Sequence, residues 1–70
     1  MFTRIISDPA ILGGKPCIKG TRISVQIILE LLTSGASVED LQQAYPQLSM
    51  DDIIEVLDYA AFYSDDGNAA

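Results

Sequence analysis

From Gly13 to Ser24 the chain reads Gly-Gly-Lys-Pro-Cys-Ile-Lys-Gly-Thr-Arg-Ile-Ser, and no other stretch limits the fold as much. Gly13, Gly14, Pro16 and Gly20 demand backbone turns that ordinary residues resist. The same stretch holds Lys15, Lys19 and Arg22, three of the four basic residues; the fourth is Arg4.

The segments before and inside this stretch read as short and extended. Thr3 to Ile6 suits a strand, followed by a turn at Ser7-Asp8-Pro9. Ala10–Leu12 and Cys17–Ile23 are further extended candidates. An uninterrupted strand would put Ile18 and Ile23 on opposite faces, so Gly20 is expected to bend the chain and turn both inward.

Three helices are legible beyond it. Ser24 is placed to cap a helix from Val25 to about Ser34, with Gly35 just past its end. Its apolar residues wrap beyond one stripe, so burial on more than one side is expected. Ser37 and Asp40 form a short capping box for a second helix, which ends where Tyr45 precedes Pro46. Val38, Leu41 and Ala44 mark its inner face. Ser49 and Asp52 repeat the signal for a third helix, Met50 to about Tyr63. There Met50, Ile53, Ile54, Leu57, Ala60 and Ala61 read as the core stripe. Val56, Tyr59 and Tyr63 form a second stripe, a candidate protein contact. The pattern predicts a mainly α, trihelical, helix-turn-helix-like domain of the homeodomain or winged-helix kind, with short N-terminal β-strands. It spans residues 1–64 and is followed by a flexible tail at 65–70.

Charge divides the chain. Residues 1–29 carry four cations and one acid, a net of +3, whereas residues 30–70 carry nine acids and no cation. Such a split concerns partners rather than fold. Arg4, Lys15, Lys19, Thr21 and Arg22 are the candidates for contact with DNA or another anion, and Arg22 suits a bidentate phosphate contact. The plainer role for Arg22 is a hydrogen bond to an acid or turn carbonyl of its own fold. Asp51, Asp52, Glu55 and Asp58, with Val56, Tyr59 and Tyr63, are the candidates for contact with a protein. Asp51, Glu55 and Asp58 share a helix face. A metal there would sit in an open, exposed cluster, so a solvated acidic face is expected and no metal site is assigned.

No catalytic constellation is found. Phosphate loops require Gly-Lys-Ser/Thr, but here Lys19 precedes Gly20, and Gly-x-Gly-x-x-Gly is absent. Cys17, the one cysteine, has no histidine to activate it, and only Lys15 and Lys19 could lower its pKa. It reads as a small buried apolar side chain in a reducing compartment. A non-enzymatic protein without a cofactor is expected. No stretch is apolar for the ~20 residues that cross a membrane, and the start lacks a secretory signal, so a cytoplasmic location is expected. With 49% of its residues apolar, a chain of 70 exceeds what a small core can hide. A homodimer or higher homo-oligomer is therefore expected.

The run from Asp8 through Gly13-Gly14-Lys15-Pro16, Gly20-Thr21-Arg22 and Val25 resembles the opening of the domain-of-unknown-function 433 family. The likeness continues through Ile28-Leu29-Glu30-Leu31-Leu32, Gly35, Tyr45-Pro46-x-Leu48, Asp52-Ile53 and Tyr59-Ala60, covering about residues 5–62. Cys17 and Ser24 depart from the aliphatic and the proline or small residue usual there. The resemblance implies a helix-turn-helix-type trihelical domain behind short strands. It also implies an antitoxin-like role of the VapB type: binding and silencing a small PIN-like toxin, and repressing the protein's own operon. The rival reading is a dimeric DNA-binding regulator that uses the basic N-terminal segment. A helix as acidic as the third would be repelled by the phosphates of a duplex, so it is not expected to read the major groove. The resemblance carries over no catalytic residue.

Overall fold

The computed structural model describes residues 2–63. Two short strands, β1 (Ile5–Ile6) and β2 (Cys17–Ile18), precede three helices: α1 (Val25–Thr33), α2 (Val38–Ala44) and α3 (Met50–Tyr63). The result is a trihelical domain with a two-stranded N-terminal sheet, as the pattern predicts. The predicted tail lies outside the described residues.

The strands pair antiparallel, Ile5 with Ile18 and Ile6 with Cys17. On its other side β2 meets the chain leading into α1. Ile18 N–H donates to the Ile23 carbonyl at 2.9 Å, and Val25 N–H donates to that of Pro16 at 3.0 Å. Residues 19–22 are therefore the turn of a fold-back. Its bend brings Ile18 and Ile23 into the core together, both nearly inaccessible. Cys17 is wholly buried, and its free thiol is a packing group.

Ala10–Leu12 forms no strand, contrary to the sequence expectation, although Ile11 itself is extended at φ −122° and ψ 118°. The Asp8 carboxylate accepts from Ala10 N–H at 2.9 Å, and the Asp8 carbonyl accepts from Ile11 N–H at 2.8 Å, which curls the chain. Leu12, Gly13 and Gly14 then take φ of 52°, 65° and 90°, a tight 3₁₀-like turn walked left-handed. For Leu12 this conformation costs about 1–2 kcal/mol.

Each helix begins where local chemistry dictates. The Ser24 hydroxyl accepts from Ile27 N–H at 3.1 Å. Ser37 and Asp40 exchange reciprocal bonds of 3.1 and 3.0 Å, and Ser49 and Asp52 repeat these distances. Past α1, Gly35 at φ 106° lets its own N–H reach the Leu32 carbonyl and lets Ala36 N–H reach that of Leu31. These two bonds make a Schellman stop.

α1 packs against both α2 and α3. Ile5, Ile18, Ile23, Val25, Ile28, Leu41, Leu48, Ile53 and Val56 form one core. Ile27, Leu29, Leu31 and Leu32 are half-buried against it, so α1 is covered on several sides. Ala44, read as inward, is exposed, and Leu48 in the turn after Pro46 takes the inner place.

α3 is rotated relative to the sequence expectation. Val56 is 0% exposed, whereas Ile54 and Leu57 are each 48% exposed and Met50 is 50% exposed. Val56 therefore cannot serve as a protein contact. Its burial among core aliphatics contributes about 1.5–3 kcal/mol to folding. At the helix start Asp52 bonds to Ser49 and Arg4 and lies on the same side as buried Ile53 and Val56.

Candidate interaction surfaces

The four cations are not equivalent. Arg4, just before β1, lies over the start of α3. Its backbone N–H donates to Glu55 Oε2 at 2.6 Å, and its guanidinium donates to Asp52 Oδ1 at 3.2 Å and Asp51 Oδ2 at 3.4 Å. Residues expected on two separate partner surfaces thus bind each other. Arg4 is paired within the fold, and its side chain, 44% exposed, has less charge to offer an anion than the other three cations. Asp52, at 7% exposure, has both carboxylate oxygens engaged, which corrects its assignment to a protein partner.

Thr21 is also used internally. Its hydroxyl donates to the Ile18 carbonyl at 2.8 Å and accepts from Ile23 N–H at 3.0 Å, locking the 19–22 turn. It braces the turn rather than reaching out to an anion. Beside it, Lys19 and Arg22 are exposed, as is Lys15 before the other end of β2, and none of the three forms an ion pair among the described residues.

On α3 the exposed apolar residues Met50, Ile54, Leu57 and Ala61 recur at i, i+4, i+7 and i+11, one stripe turned away from the core. Asp51 and Asp58, at i+1 and i+8, border it on one side and are exposed. At the far end Phe2 meets Tyr59, Phe62 and Tyr63 with ring centroids 5.1 to 6.3 Å away. Phe62 and Tyr63 remain nearly two-thirds exposed. The phenol of Tyr59 is held above its ordinary pKa of 10.0, first by burial and then by neighbouring Tyr63. Sequence reading found Tyr59 and Tyr63 but missed Phe2 and Phe62. The signal was present: Phe62 stands three residues after Tyr59, and its side chain projects over that turn of the helix.

A concavity of about 470 Å³ runs between Lys15–Pro16 and the outer side of α1. Val25 and Leu29 line it together with Gln26 and Glu30. Gln26 Nε2 donates to Glu30 Oε2 at 3.0 Å. Sequence reading missed this groove because its two walls come from segments that meet only in the fold.

Among the described residues, no three His, Cys, Asp or Glu side chains are grouped so as to hold a metal ion, and no helix is long and apolar enough to cross a membrane.

Comparison with known proteins agrees with this architecture. A crystal structure of a DUF433 member protein from Anabaena variabilis superposes with a TM-score of 0.83 at 27% identity, covering 90% of this chain and 62% of that one. The uncharacterized protein y4eO of Sinorhizobium fredii is 39% identical over 49 residues, which make up 70% of this chain and 22% of that protein. The chain therefore spans under a quarter of the length of that relative. Residues 5–60 match the profile of the family described as protein of unknown function (DUF433), and the chain belongs to that family.

Proposed function

We propose that this chain is a non-catalytic, antitoxin-like cytoplasmic protein that holds a basic partner of the PIN-like toxin class against α3. The observation that carries this reading is the stripe of Met50, Ile54 and Leu57, half-exposed on a helix whose opposite side is core. Isolated exposed aliphatics are ordinary on a small protein, but a continuous helical stripe bordered by acids has the form of a docking face. The stripe supplies apolar contact, and exposed Asp58, which forms no ion pair among the described residues, selects a partner with Lys or Arg beside its own apolar residues. Co-expression with the product of the neighbouring gene tests it. A stable complex and relief of that product's toxicity are expected, and both are expected to disappear in Ile54→Lys. Absence of a complex together with absence of relief overturns the reading.

A second reading, DNA binding, is favoured by Lys15, Lys19 and Arg22, which have no acidic partner among the described residues. Binding to the chain's own upstream DNA would weaken steeply with salt and fall in Lys19→Ala and Arg22→Ala. No binding at low salt overturns it.

A further inference from the structure

We infer that the groove between Lys15–Pro16 and α1 receives a second copy of this chain, in a two-fold arrangement that sets Lys15 of each copy against Glu30 of the other. The groove floor is apolar, formed by Pro16, Val25 and Leu29. Its walls carry charges of opposite sign, Lys15 from the loop and Glu30 from the helix. Within one chain these two form no ion pair.

A patch with a cation on one wall and an anion on the other is complementary to itself. Rotation by a half-turn lays the loop wall of one copy on the helix wall of the next, satisfying both charges twice over an apolar centre. The exposed stripe of α3 lacks this property. Its border holds Asp58 and Asp51, the latter already paired with Arg4, and no cation stands on the helix itself. Two copies meeting there would set Asp58 against Asp58 with no cation of α3 to answer it, whereas the α1 groove answers each charge with its opposite. Self-association therefore belongs to the α1 groove and leaves α3 free for a different, basic partner.

Both walls are already held in place. Lys15 N–H donates to the Leu12 carbonyl at 3.2 Å, tying the loop wall to the left-handed turn. Gln26 steadies the Glu30 carboxylate from one helical turn away. The backbone of the loop wall and the Glu30 carboxylate are thus positioned before docking, and only the Lys15 side chain has to be ordered.

Sedimentation equilibrium on the whole chain tests this with wild type, Lys15→Glu, Glu30→Lys and an equal mixture of the two variants, each checked for fold by circular dichroism. Wild type is expected to dimerise. Each single reversal opposes like charges twice and is expected to weaken the dimer about tenfold or more. The mixture restores both pairs and is expected to recover wild-type association as a heterodimer. A monomeric wild type overturns the proposal. So does a dimer indifferent to Lys15→Glu, or a mixture no tighter than its components. None of these outcomes bears on complex formation through α3, which is read separately with the partner.

Discussion

Arg4 Nη1 and Asp52 Oδ1 meet at 3.2 Å across 48 residues of sequence, and Asp52 uses its other oxygen to cap α3 through Ser49 N–H at 3.0 Å. One carboxylate thus sets both where the last helix begins and where the first strand lies. Asp52→Ala removes a helix cap and leaves the guanidinium with only its exposed partner. It is expected to lower the free energy of unfolding by about 2 kcal/mol. Asp51→Ala removes a pair between half-exposed and exposed groups and is expected to cost less than about 0.5 kcal/mol. Urea denaturation of the two variants checks the difference, and equal losses would contradict the asymmetry.

Neighbouring aliphatics on α3 are expected to behave oppositely. Val56→Ala leaves a hole in a closed core and is expected to cost about 2 kcal/mol. Leu57→Lys, at a half-exposed site, should shift stability by less than about 0.5 kcal/mol while abolishing the partner complex proposed for α3. Thermal melts paired with co-purification separate the two effects.

The 19–22 turn gives a similar contrast. Thr21→Val keeps the shape of the side chain but strands the Ile23 N–H and one bond to the Ile18 carbonyl, for an expected loss of about 1–2 kcal/mol. Arg22→Ala removes no side-chain hydrogen bond or ion pair found among the described residues and is expected to leave stability unchanged within about 0.5 kcal/mol. If Arg22→Ala unfolds the protein as readily as Thr21→Val, the turn is not built as described.

Tyr59 makes stability depend on alkaline pH. Its phenol ionises at higher pH in the folded chain than the ordinary 10.0, so the folded state holds that proton more tightly. The contribution is complete below pH 10.0 and is lost as pH rises above it through the folded value. Tyr59→Phe is expected to flatten that part of the stability profile, measured by urea midpoints across the alkaline range. Difference absorbance of the phenolate between wild type and Tyr59→Phe should place the Tyr59 titration above its value in the unfolded chain.

Much of the fold was legible because its signals are local. Ser24, Ser37 and Ser49 each bond to a backbone N–H three residues ahead, so the start of each helix is written within a single turn of sequence. Gly20 between two aliphatics five positions apart was enough to forecast the bend. The face of α3 was not legible. Both of its stripes are apolar, and the core partners that distinguish them, with the Arg4–Asp52 contact beside them, come from segments distant in sequence. The same contact hid the fate of Arg4: charge separated in sequence is partly cancelled in space. Ala10–Leu12 went astray because the Asp8 side chain competes for the backbone that a strand would need.

The turn at Leu12–Gly14 carries a chemical consequence. A Cβ added at Gly13 would meet nothing within 4 Å, so the objection to a side chain there is handedness and not room. Positive φ is the ordinary path of a mirror-image amino acid. D-Alanine at Gly13 would keep the folded path while narrowing the unfolded ensemble, a gain of about 0.4–1 kcal/mol where L-alanine brings a loss. In a 70-residue chain, within reach of total synthesis, stereochemistry at one carbon becomes a means of adjusting stability without altering a single contact.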